Sequence, residues 1–370
     1  MKGLNHNANV LLAVTPTFPK QYWAKPPDLA WQVMNDLGID TLQVSVFGGG
    51  NVLRIQANEN HPYGRPYDPD WAENLEVFLT KADSHNIKVI FHTLGTKYGC
   101  GLGIVAPVQN YVLVDPYSSI ENALTVIDKL GGNNDLAKNF FVDDRVEWWS
   151  PINEANIESY AYVRDWIVAI LQRIKSYGGK TSVCVKDATH PYDETFPYIL
   201  PIIGDYVDYL QAHCYNDACI HACTDGGSSI DMYPLAYAEF AKNCEAMIDG
   251  RGGFPVSKLL ITEIGCGNGV WNWHAGPDTT TKQQQADYIK AAFDACKHYG
   301  IGGLFYQNIF WLDEGNDFGF GFINYDGSMS NQLAYDAFKA GVVVPITLPF
   351  HDDFADLTKW NVLKGTWGTK

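Results

Sequence analysis

The chain has 370 residues, of which 46% are hydrophobic, and no apolar run approaches the roughly 18 residues of a transmembrane helix. This excludes a disordered or membrane-spanning chain and suits a large domain with a single core. The 42 Asp+Glu against 26 Lys+Arg give a formal charge of -16, which would repel phosphate groups, so we expect neither a nucleic-acid nor a membrane partner.

Along the chain, short apolar runs alternate with longer segments that have the spacing of helices. We predict eight strands, in the segments NVLLAVT, TLQVSVF, KVIFHTL, VEWWSPIN, TSVCVKDA, YVDYLQAHCY, KLLITEIG and GGLFYQNIF. The helical segments between them include DLAWQVMNDLG, DPDWAENLEVFLTKADSHN, YVRDWIVAILQRIKSYGG and TTKQQQADYIKAAFDACKHYG, and a last helix is predicted in SNQLAYDAFKAG.

Three of these helical segments end in glycine, at Gly38, Gly178 and Gly300, where a left-handed closing residue is expected before the next strand. Eight strand–helix units in a chain of this length favour the α/β class and, within it, a closed (β/α)8 TIM barrel. An open doubly wound sheet is disfavoured because AVTPTFPK, at the end of the first predicted strand, has no glycine for a phosphate-binding loop.

The two ends of the chain differ from this repeating part. The start, MKGLNHNANVLLAV, is too short and too polar for a secretory signal; of a cytosolic protein and a secreted one whose signal is absent from this sequence, we expect the second. We assign residues 1–341 to the barrel and 342–370 to a linker, VVVPITLPF, and the start of a second module. The closing segment, HDDFADLTKWNVLKGTWGTK, resembles the opening of a β-sandwich carbohydrate-binding module, so we expect the protein to continue beyond it.

Eight cysteines are scattered along the chain, and three of them lie close together in HCYNDACIHAC. Cys214, Cys219 and Cys223 could form a disulfide-stapled loop or stay free, or they could hold zinc with His213 and His221. Because the spacing matches no paired CxxC pattern, we favour the disulfide or free-thiol interpretation.

Polar side chains close several of the predicted strands. In a barrel, catalytic residues gather at the C-terminal ends of the strands, so these positions are candidates for a functional site. They are Asn153 and Glu154 on the fourth strand, Glu263 on the seventh, His213 and Tyr215 on the sixth, His92 on the third and Trp311 after the eighth.

Strands four and seven lie across the mouth of such a barrel from each other, so Glu154 and Glu263 can face one another over a substrate. Two carboxyl groups suffice for glycoside hydrolysis, because one donates a proton to the leaving oxygen while the other, kept ionised, attacks or activates water. A nearby negative charge raises the pKa of the acid, whereas donors such as a tyrosine hydroxyl keep the other carboxylate ionised.

This ordered set resembles the clan A glycoside hydrolases, and family 5 among them most closely, over residues of about 4 to 341. The resemblance implies that Glu154 is the acid/base and Glu263 the nucleophile. It also implies retention of configuration, which requires the two carboxyl groups to lie about 5 to 5.5 Å apart. Neither a metal nor another cofactor is implied.

The resemblance assigns further roles around the two carboxylates. Asn153 is implied to donate a hydrogen bond to the sugar 2-hydroxyl. His213 and Tyr215 are implied to line the site, with the tyrosine in contact with the nucleophile. Trp311 resembles the platform on which the sugar at the cleavage point stacks.

Two positions depart from the family pattern. Family 5 enzymes usually carry an arginine inside the second strand, but TLQVSVF has none, and the nearest is Arg54 in the following loop, which we include as a substrate-binding candidate. The usual Asn-Glu-Pro is Asn-Glu-Ala here, with Ala155. The residues therefore indicate the clan more firmly than the family.

Other aromatic and histidine residues permit two interpretations. His92 is either a substrate contact or a hydrogen-bonded core histidine at the barrel mouth. Trp271 and Trp273, which follow the seventh strand, are either a second sugar platform or a loop anchor. Trp148 and Trp149 lie below the site along the pleat, so we predict that both are core residues.

The sequence thus predicts a monomeric retaining glycoside hydrolase that acts on a β-linked polysaccharide or oligosaccharide, with an endo-β-1,4-glucanase as the first choice. A β-mannanase or an exo-acting β-mannosidase or β-glucosidase is the alternative, since the long loops after the second and third strands could close one end of the cleft. A non-catalytic sugar-binding barrel would need neither carboxylate. A metal-dependent hydrolase would use His92, His213 and Cys214, but the first predicted strand lacks the His-x-His of such sites.

Overall fold

The computed structural model of the chain contains one sheet of eight parallel strands surrounded by helices. The structure describes residues 1–5, 27–45, 71–92, 120–151, 161–185, 188–189, 196–215, 231–266, 280–307, 309, 320–324 and 328–342. In these ranges no helix combines the length and the apolar character needed to cross a membrane.

The strands are short and their bounds follow the predicted apolar runs at seven of eight positions. They are β1 Lys2–Asn5, β2 Thr41–Ser45, β3 Lys88–His92, β4 Val146–Ser150, β5 Ser182–Val185, β6 Tyr209–His213, β7 Leu259–Ile264 and β8 Gly303–Gln307. The α-helices of the described ranges are α1 Pro27–Asp36, α2 Trp71–Ser84, α3 Ile120–Leu130, α4 Ala161–Ser176, α5 Phe196–Ile203, α6 Met232–Gly250, α7 Lys282–Tyr299 and α8 Gln332–Ala340.

The strand order confirms the (β/α)8 barrel. Neighbouring strands follow the order β4-β3-β2-β1-β8-β7-β6-β5, so that the first strand pairs with both the second and the last. The remaining gap between β4 and β5 is closed by a parallel bridge between Trp149 and Thr181 and by a hydrogen bond of 2.9 Å from the Trp149 backbone N–H to the Lys180 carbonyl. A doubly wound sheet would have left two open edges at this point.

The first strand differs from the prediction. It is Lys2–Asn5, whereas the predicted NVLLAVT lies outside the described residues. The pattern favoured the longer apolar run, but this strand needs only one fully buried apolar side chain, Leu4. It also needs Gly3, because a Cβ at that position would lie 2.0 Å from the ring of Phe305 inside the barrel.

The helix predictions agree with the structure, including the way in which three helices end. Gly38, Gly178 and Gly300 have φ angles of 68°, 85° and 72°, which is the left-handed conformation expected of a closing glycine. Helices α3, α5 and α6 were not among the predicted segments. The part of the second-module prediction that covers residues 343–370 lies outside the described residues and stays a prediction.

The interior of the barrel has an apolar floor and a polar layer above it. The floor is formed by Ile90, Trp148, Leu260 and Phe305, which are all fully buried. Further toward the C-terminal ends of the strands, the buried side chains become polar: Gln43, His92, Ser150, Cys184, Gln211, His213 and Thr262. The barrel therefore places its hydrogen-bonding groups at the end where barrel enzymes carry their sites.

Trp148 and Trp149 are core residues, as predicted, but they serve different cores. Trp148 points into the barrel and stacks on Tyr209, with ring centroids 4.1 Å apart. Trp149 belongs to the outer core between sheet and helices, where it stacks on Phe91 at 4.7 Å. Successive residues of a strand face opposite sides, so the pair supplies a large apolar group to each layer.

An ion cluster braces the other end of the barrel, where β4 begins. The Asp143 carboxylate accepts hydrogen bonds from the Arg145 side chain at 2.8 and 2.7 Å and lies 2.8 Å from the Lys138 ammonium. Arg145 also reaches Glu76 of α2 at 2.8 Å. Burial alone would raise the pKa of Asp143, but the donors from Arg145 and Lys138 outweigh it and hold that pKa below its ordinary value.

We predict that Asp143→Asn lowers the free energy of unfolding at about pH 7 by roughly 2 kcal/mol, because Arg145 and Lys138 lose their more buried carboxylate partner and keep Glu76, which is more exposed. A carboxyl with a lowered folded-state pKa stabilises the fold above its unfolded pKa, and that contribution is lost as the pH falls toward the folded value. The difference between variant and wild type should therefore shrink in urea unfolding at about pH 3. Asp144→Asn, at the exposed neighbouring position, is the control. Parallel loss of stability in wild type and Asp143→Asn on acidification would contradict the prediction.

Candidate active site

A register shift in β7 turns Glu263 toward the mouth of the barrel. Ala212 of β6 pairs with Ile261, but the next residue, His213, pairs with Glu263, so β7 holds one extra residue at this point. The Thr262 hydroxyl faces the barrel interior, where it donates to the side-chain oxygen of Gln211 at 3.3 Å. In a regular strand, successive side chains face opposite sides, so Glu263 would point outward to the helices. The bulge instead turns the Glu263 side chain toward the barrel mouth.

The Glu263 carboxylate meets two side chains from β6 and the residues that follow it. The Nδ1 atom of His213 lies 3.0 Å from Oε2 of Glu263, and the Tyr215 hydroxyl donates to Oε1. The carboxylate keeps 12% of its side-chain surface exposed, while the His213 side chain is fully buried. Donors to both oxygens favour the ionised form, and the remaining exposure leaves the carboxylate within reach of a ligand.

Behind His213 lies a thiol that the sequence analysis did not single out. The Sγ atom of Cys184, on β5, is 3.1 Å from Nε2 of His213. Cys184 pairs in register with Gln211, two residues before His213 on the same face of β6, so both side chains point into the barrel. The inward position of Cys184 on β5 could have identified it as a site residue. Recognising that position requires the alignment of β5 with β6, which the sequence alone does not supply.

Tyr215 is held from its other side by an aromatic ring. Phe320, which follows β8, stacks on Tyr215 with centroids 5.7 Å apart and an angle of 24° between the rings. Gly265, directly after β7, makes room for this ring, because a Cβ there would lie 2.6 Å from Phe320. The tyrosine that contacts Glu263 is thus positioned by the segments that follow both neighbouring strands.

Gln285 of α7 joins these two segments. Its fully buried amide nitrogen donates to the backbone oxygens of Cys266 at 2.9 Å and Phe320 at 3.0 Å. Its amide oxygen accepts from the side chain of Asn331 at 2.7 Å. The sequence analysis missed this residue, since QQQ near the start of a helix resembles a solvated face.

His92 is a buried residue of the polar layer. Its Nε2 atom lies 2.5 Å from the amide nitrogen of Gln43 on the adjacent strand β2. This contact agrees with a hydrogen-bonded core histidine, the second of the two interpretations given to His92. The structure brings together Glu263, His213 and Tyr215 of the predicted site residues. The others, Arg54, Asn153, Glu154, Trp271 and Trp311, lie outside the described residues.

Only part of the cysteine cluster lies in the described ranges. Cys214 is buried and is not part of a disulfide bond, which agrees with the thiol interpretation for this residue. Cys219, Cys223 and His221 lie outside the described residues. Across the described ranges, no group of three or more His, Cys, Asp or Glu side chains is arranged to hold a metal ion. The chemistry on offer at the described part of the mouth is that of a carboxylate held ionised by two donors.

Comparison with known proteins supports the fold. No protein-family model matches the sequence, and no curated protein does either. Among solved structures, the chain is similar to a glycoside hydrolase family 5 mannosidase from Rhizomucor miehei in complex with mannosyl-fructose, with 15% identity, a TM-score of 0.60 and 91% of each chain covered. A family 5 xyloglucan-specific endo-β-1,4-glucanase from a metagenomic library, in complex with cellotriose, has 15% identity and a TM-score of 0.54 over 91% of this chain and 95% of that one.

A third similar structure belongs to a longer protein. It is the β-glucuronidase of an uncultured Clostridium sp., with 12% identity and a TM-score of 0.57. The match covers 91% of this chain, which spans about half of that protein, 49% of its length. At such identities the similarity establishes the barrel fold, and the chemistry has to be argued from the site.

We predict that Gln285→Leu destabilises the protein by roughly 1 to 3 kcal/mol, because the buried oxygens of Cys266 and Phe320 lose one donor, although the Tyr306 hydroxyl still donates to both, and Asn331 loses an acceptor. Urea unfolding at equilibrium measures the change. Gln283→Leu on the same helix is the matched control, since Gln283 is exposed and donates to the side chain of Asp287, one turn along the helix, at 2.8 Å. Equal stability of the two variants would show that Gln285 does not hold the two segments together.

Proposed function

We propose that this chain is a retaining glycoside hydrolase that cleaves a β-linked polysaccharide or oligosaccharide, with Glu263 as its nucleophile. One observation carries the proposal: the Glu263 carboxylate, turned to the barrel mouth by a bulge, receives one contact on each oxygen, from His213 and Tyr215. A carboxylate that must attack carbon has to be ionised at the moment of reaction, and these donors favour that state.

In the first step, a Glu263 oxygen attacks the anomeric carbon while the acid/base, which we assign to Glu154, gives its proton to the departing oxygen. The bond to the leaving sugar breaks as the ester to Glu263 forms, and the leaving oxygen departs as a neutral hydroxyl. The negative charge thereby passes from Glu263 to Glu154, which has given up its proton. In the second step, Glu154 takes a proton from water, which displaces Glu263 from the same carbon. Two inversions give net retention.

The non-covalent contacts around Glu263 support this proposal, because they would keep the carboxylate in place between the two steps. His213 is fully buried and anchored to the strand next to β7, and Tyr215 is backed by the Phe320 ring. Both side chains therefore have little freedom to move, and they restrict the position of the carboxylate. The attack geometry is therefore set before substrate arrives, which is where positioning contributes most to catalysis.

A non-catalytic sugar-binding barrel is the proposal from another class. It would present aromatic platforms to sugar rings, but it would have no use for a partly exposed carboxylate with donors on both oxygens. A metal-dependent hydrolase is disfavoured because His213 and Cys214, two of its three candidate ligands, have other roles. His213 contacts Glu263 and Cys184, and Cys214 lies in the core.

We predict opposite stereochemical outcomes when the two carboxylates are removed in turn and azide is supplied with an activated aryl β-glycoside. Glu263→Ala should lose activity by several orders of magnitude, and azide should then attack from the vacated face to give the α-glycosyl azide. Glu154→Ala should still form the glycosyl-enzyme from an activated leaving group, so azide should yield the β-glycosyl azide. Product configuration by NMR distinguishes the two roles.

The matched control for this experiment is Glu147→Gln, a carboxylate lost at the opposite, N-terminal end of β4. It should leave both rate and product configuration unchanged. Near-wild-type hydrolysis by Glu263→Ala would refute the assignment of the nucleophile. Sugar binding without any hydrolysis in the wild type would favour the sugar-binding barrel.

For the substrate, we propose a β-1,4-glucan attacked within the chain, with a β-mannan as the alternative for either an endo- or an exo-acting enzyme. Similar structures include both a mannosidase and an endo-glucanase, so the fold is compatible with either sugar. We expect product analysis on cellulose, mannan, xylan and β-1,3-glucan to yield oligosaccharides of mixed length from the glucan. Release of mannose or manno-oligosaccharides alone would select the alternative.

A further inference from the structure

We infer that Cys184 is a positioning residue for this reaction: its thiol donates to Nε2 of His213 and so fixes His213 as the neutral tautomer that carries its proton on Nδ1, facing Glu263. The inference deepens the proposed function and rests on it for the catalytic consequence. The tautomer itself can be tested without any substrate.

The Glu263 carboxylate determines which nitrogen of His213 carries a proton. An ionised carboxylate can only accept hydrogen bonds, so the His213 nitrogen that lies 3.0 Å from Oε2 of Glu263 must be protonated. In a neutral imidazole the other nitrogen is then an acceptor. That nitrogen, Nε2, faces the Cys184 sulfur at 3.1 Å, which makes the thiol the donor in this pair.

The surroundings of the thiol favour the same direction. Two other acceptors lie near Cys184 Sγ, the Val185 carbonyl at 3.7 Å and the Thr262 hydroxyl oxygen at 3.8 Å. Both are farther away than Nε2 of His213, and Thr262 gives its own proton to Gln211. Cys184 and His213 are also fully buried, so no bulk water competes for the ring nitrogen.

The alternative is a doubly protonated His213 that donates to both neighbours. It would place a cation in a fully buried ring, and it would leave the ionised Glu263 paired with a full positive charge. Such an ion pair draws electron density away from a carboxylate that has to attack carbon. A neutral donor keeps the carboxylate in place and leaves its nucleophilic character intact.

Replacing Cys184 by alanine removes the donor from Nε2. The tautomer with its proton on Nδ1 is then favoured by Glu263 alone, so the other tautomer, which turns a bare Nδ1 lone pair toward Glu263, gains population. The carboxylate loses a donor that favoured its ionised form, so the pH below which kcat/KM falls should move upward. In the described residues, the titratable groups that contact His213 are Cys184 of β5 and Glu263 of β7. Tyr215, which follows β6, contacts Glu263 in turn.

The first test reads the ring nitrogens of His213 by NMR in protein labelled with 15N-histidine, with His213→Gln used to assign the signals. We expect a protonated Nδ1 and a bare Nε2 in the wild type at neutral pH. Cys184→Ala should raise the population of the opposite tautomer above that of the wild type, and Cys184→Ser should restore the wild-type signals because its hydroxyl is also a donor. A protonated Nε2 in the wild type would overturn the inference, whether or not any variant folds.

The second test measures the pH profile of kcat/KM on the substrate that the product analysis selects. Cys184→Ala should lower kcat by about tenfold, by analogy with the lower end of the effect of removing the hydrogen-bond partner that orients a metal-bound histidine, and shift the acid limb to higher pH. KM should change little, and Cys184→Ser should recover most of the loss. Cys244→Ala, which removes another fully buried free thiol on α6, controls for the cavity.

The outcomes separate the two proposals. If the azide experiment fails while the NMR result holds, the tautomer assignment stands and the catalytic role of Glu263 is wrong. If Cys184→Ala keeps both the wild-type tautomer and the wild-type pH profile, Cys184 is only a core residue and the inference fails.

Discussion

The contact between the Glu263 carboxylate and the His213 ring is the constraint on which the mouth of this barrel depends. It exists only because β7 carries one residue more than β6 at this level, so that Thr262 and Glu263, which are sequence neighbours, both face inward. A regular strand would point the carboxylate at the helices, where a charge without partners is costly. The bulge removes that cost and produces a functional geometry in one step.

The residues that stabilise the barrel and the polar groups at its mouth lie toward opposite ends of the strands. Its floor is a cluster of large apolar side chains, among them Trp148 and Phe305, and its outer base is braced by the ion cluster around Asp143. The opposite end carries the polar layer and the Glu263 group. Changes confined to the exposed groups at the mouth can therefore alter chemistry while the apolar floor and the ion cluster stay in place.

Much of this could be predicted from the sequence, for identifiable reasons. Seven strands and five helices follow from apolar periodicity and closing glycines, and Glu263, His213 and Tyr215 follow from their position at strand ends. The first strand could not be predicted in this way, because its role depends on the space that Gly3 leaves for Phe305 rather than on its own hydrophobicity. Cys184 and Gln285 were missed for a related reason. Each acts through partners distant in sequence, and only the register of β5 with β6, or the packing of α7 on two loops, reveals them.

Asp143 and Glu263 have similar hydrogen-bonding arrangements but differ in the charge of their donors. Both carboxylates accept hydrogen bonds on each of their oxygens. The Asp143 side chain is 4% exposed and faces the cations of Arg145 and Lys138. Its charge is therefore balanced within the ion cluster, and its burial keeps ligands away from it. Glu263 is 12% exposed, and its described donors are a tyrosine hydroxyl and, as we propose, a neutral imidazole. A carboxylate held by neutral donors can stay ionised without a neighbouring cation, and that difference separates the structural anion Asp143 from the nucleophile that we propose Glu263 to be.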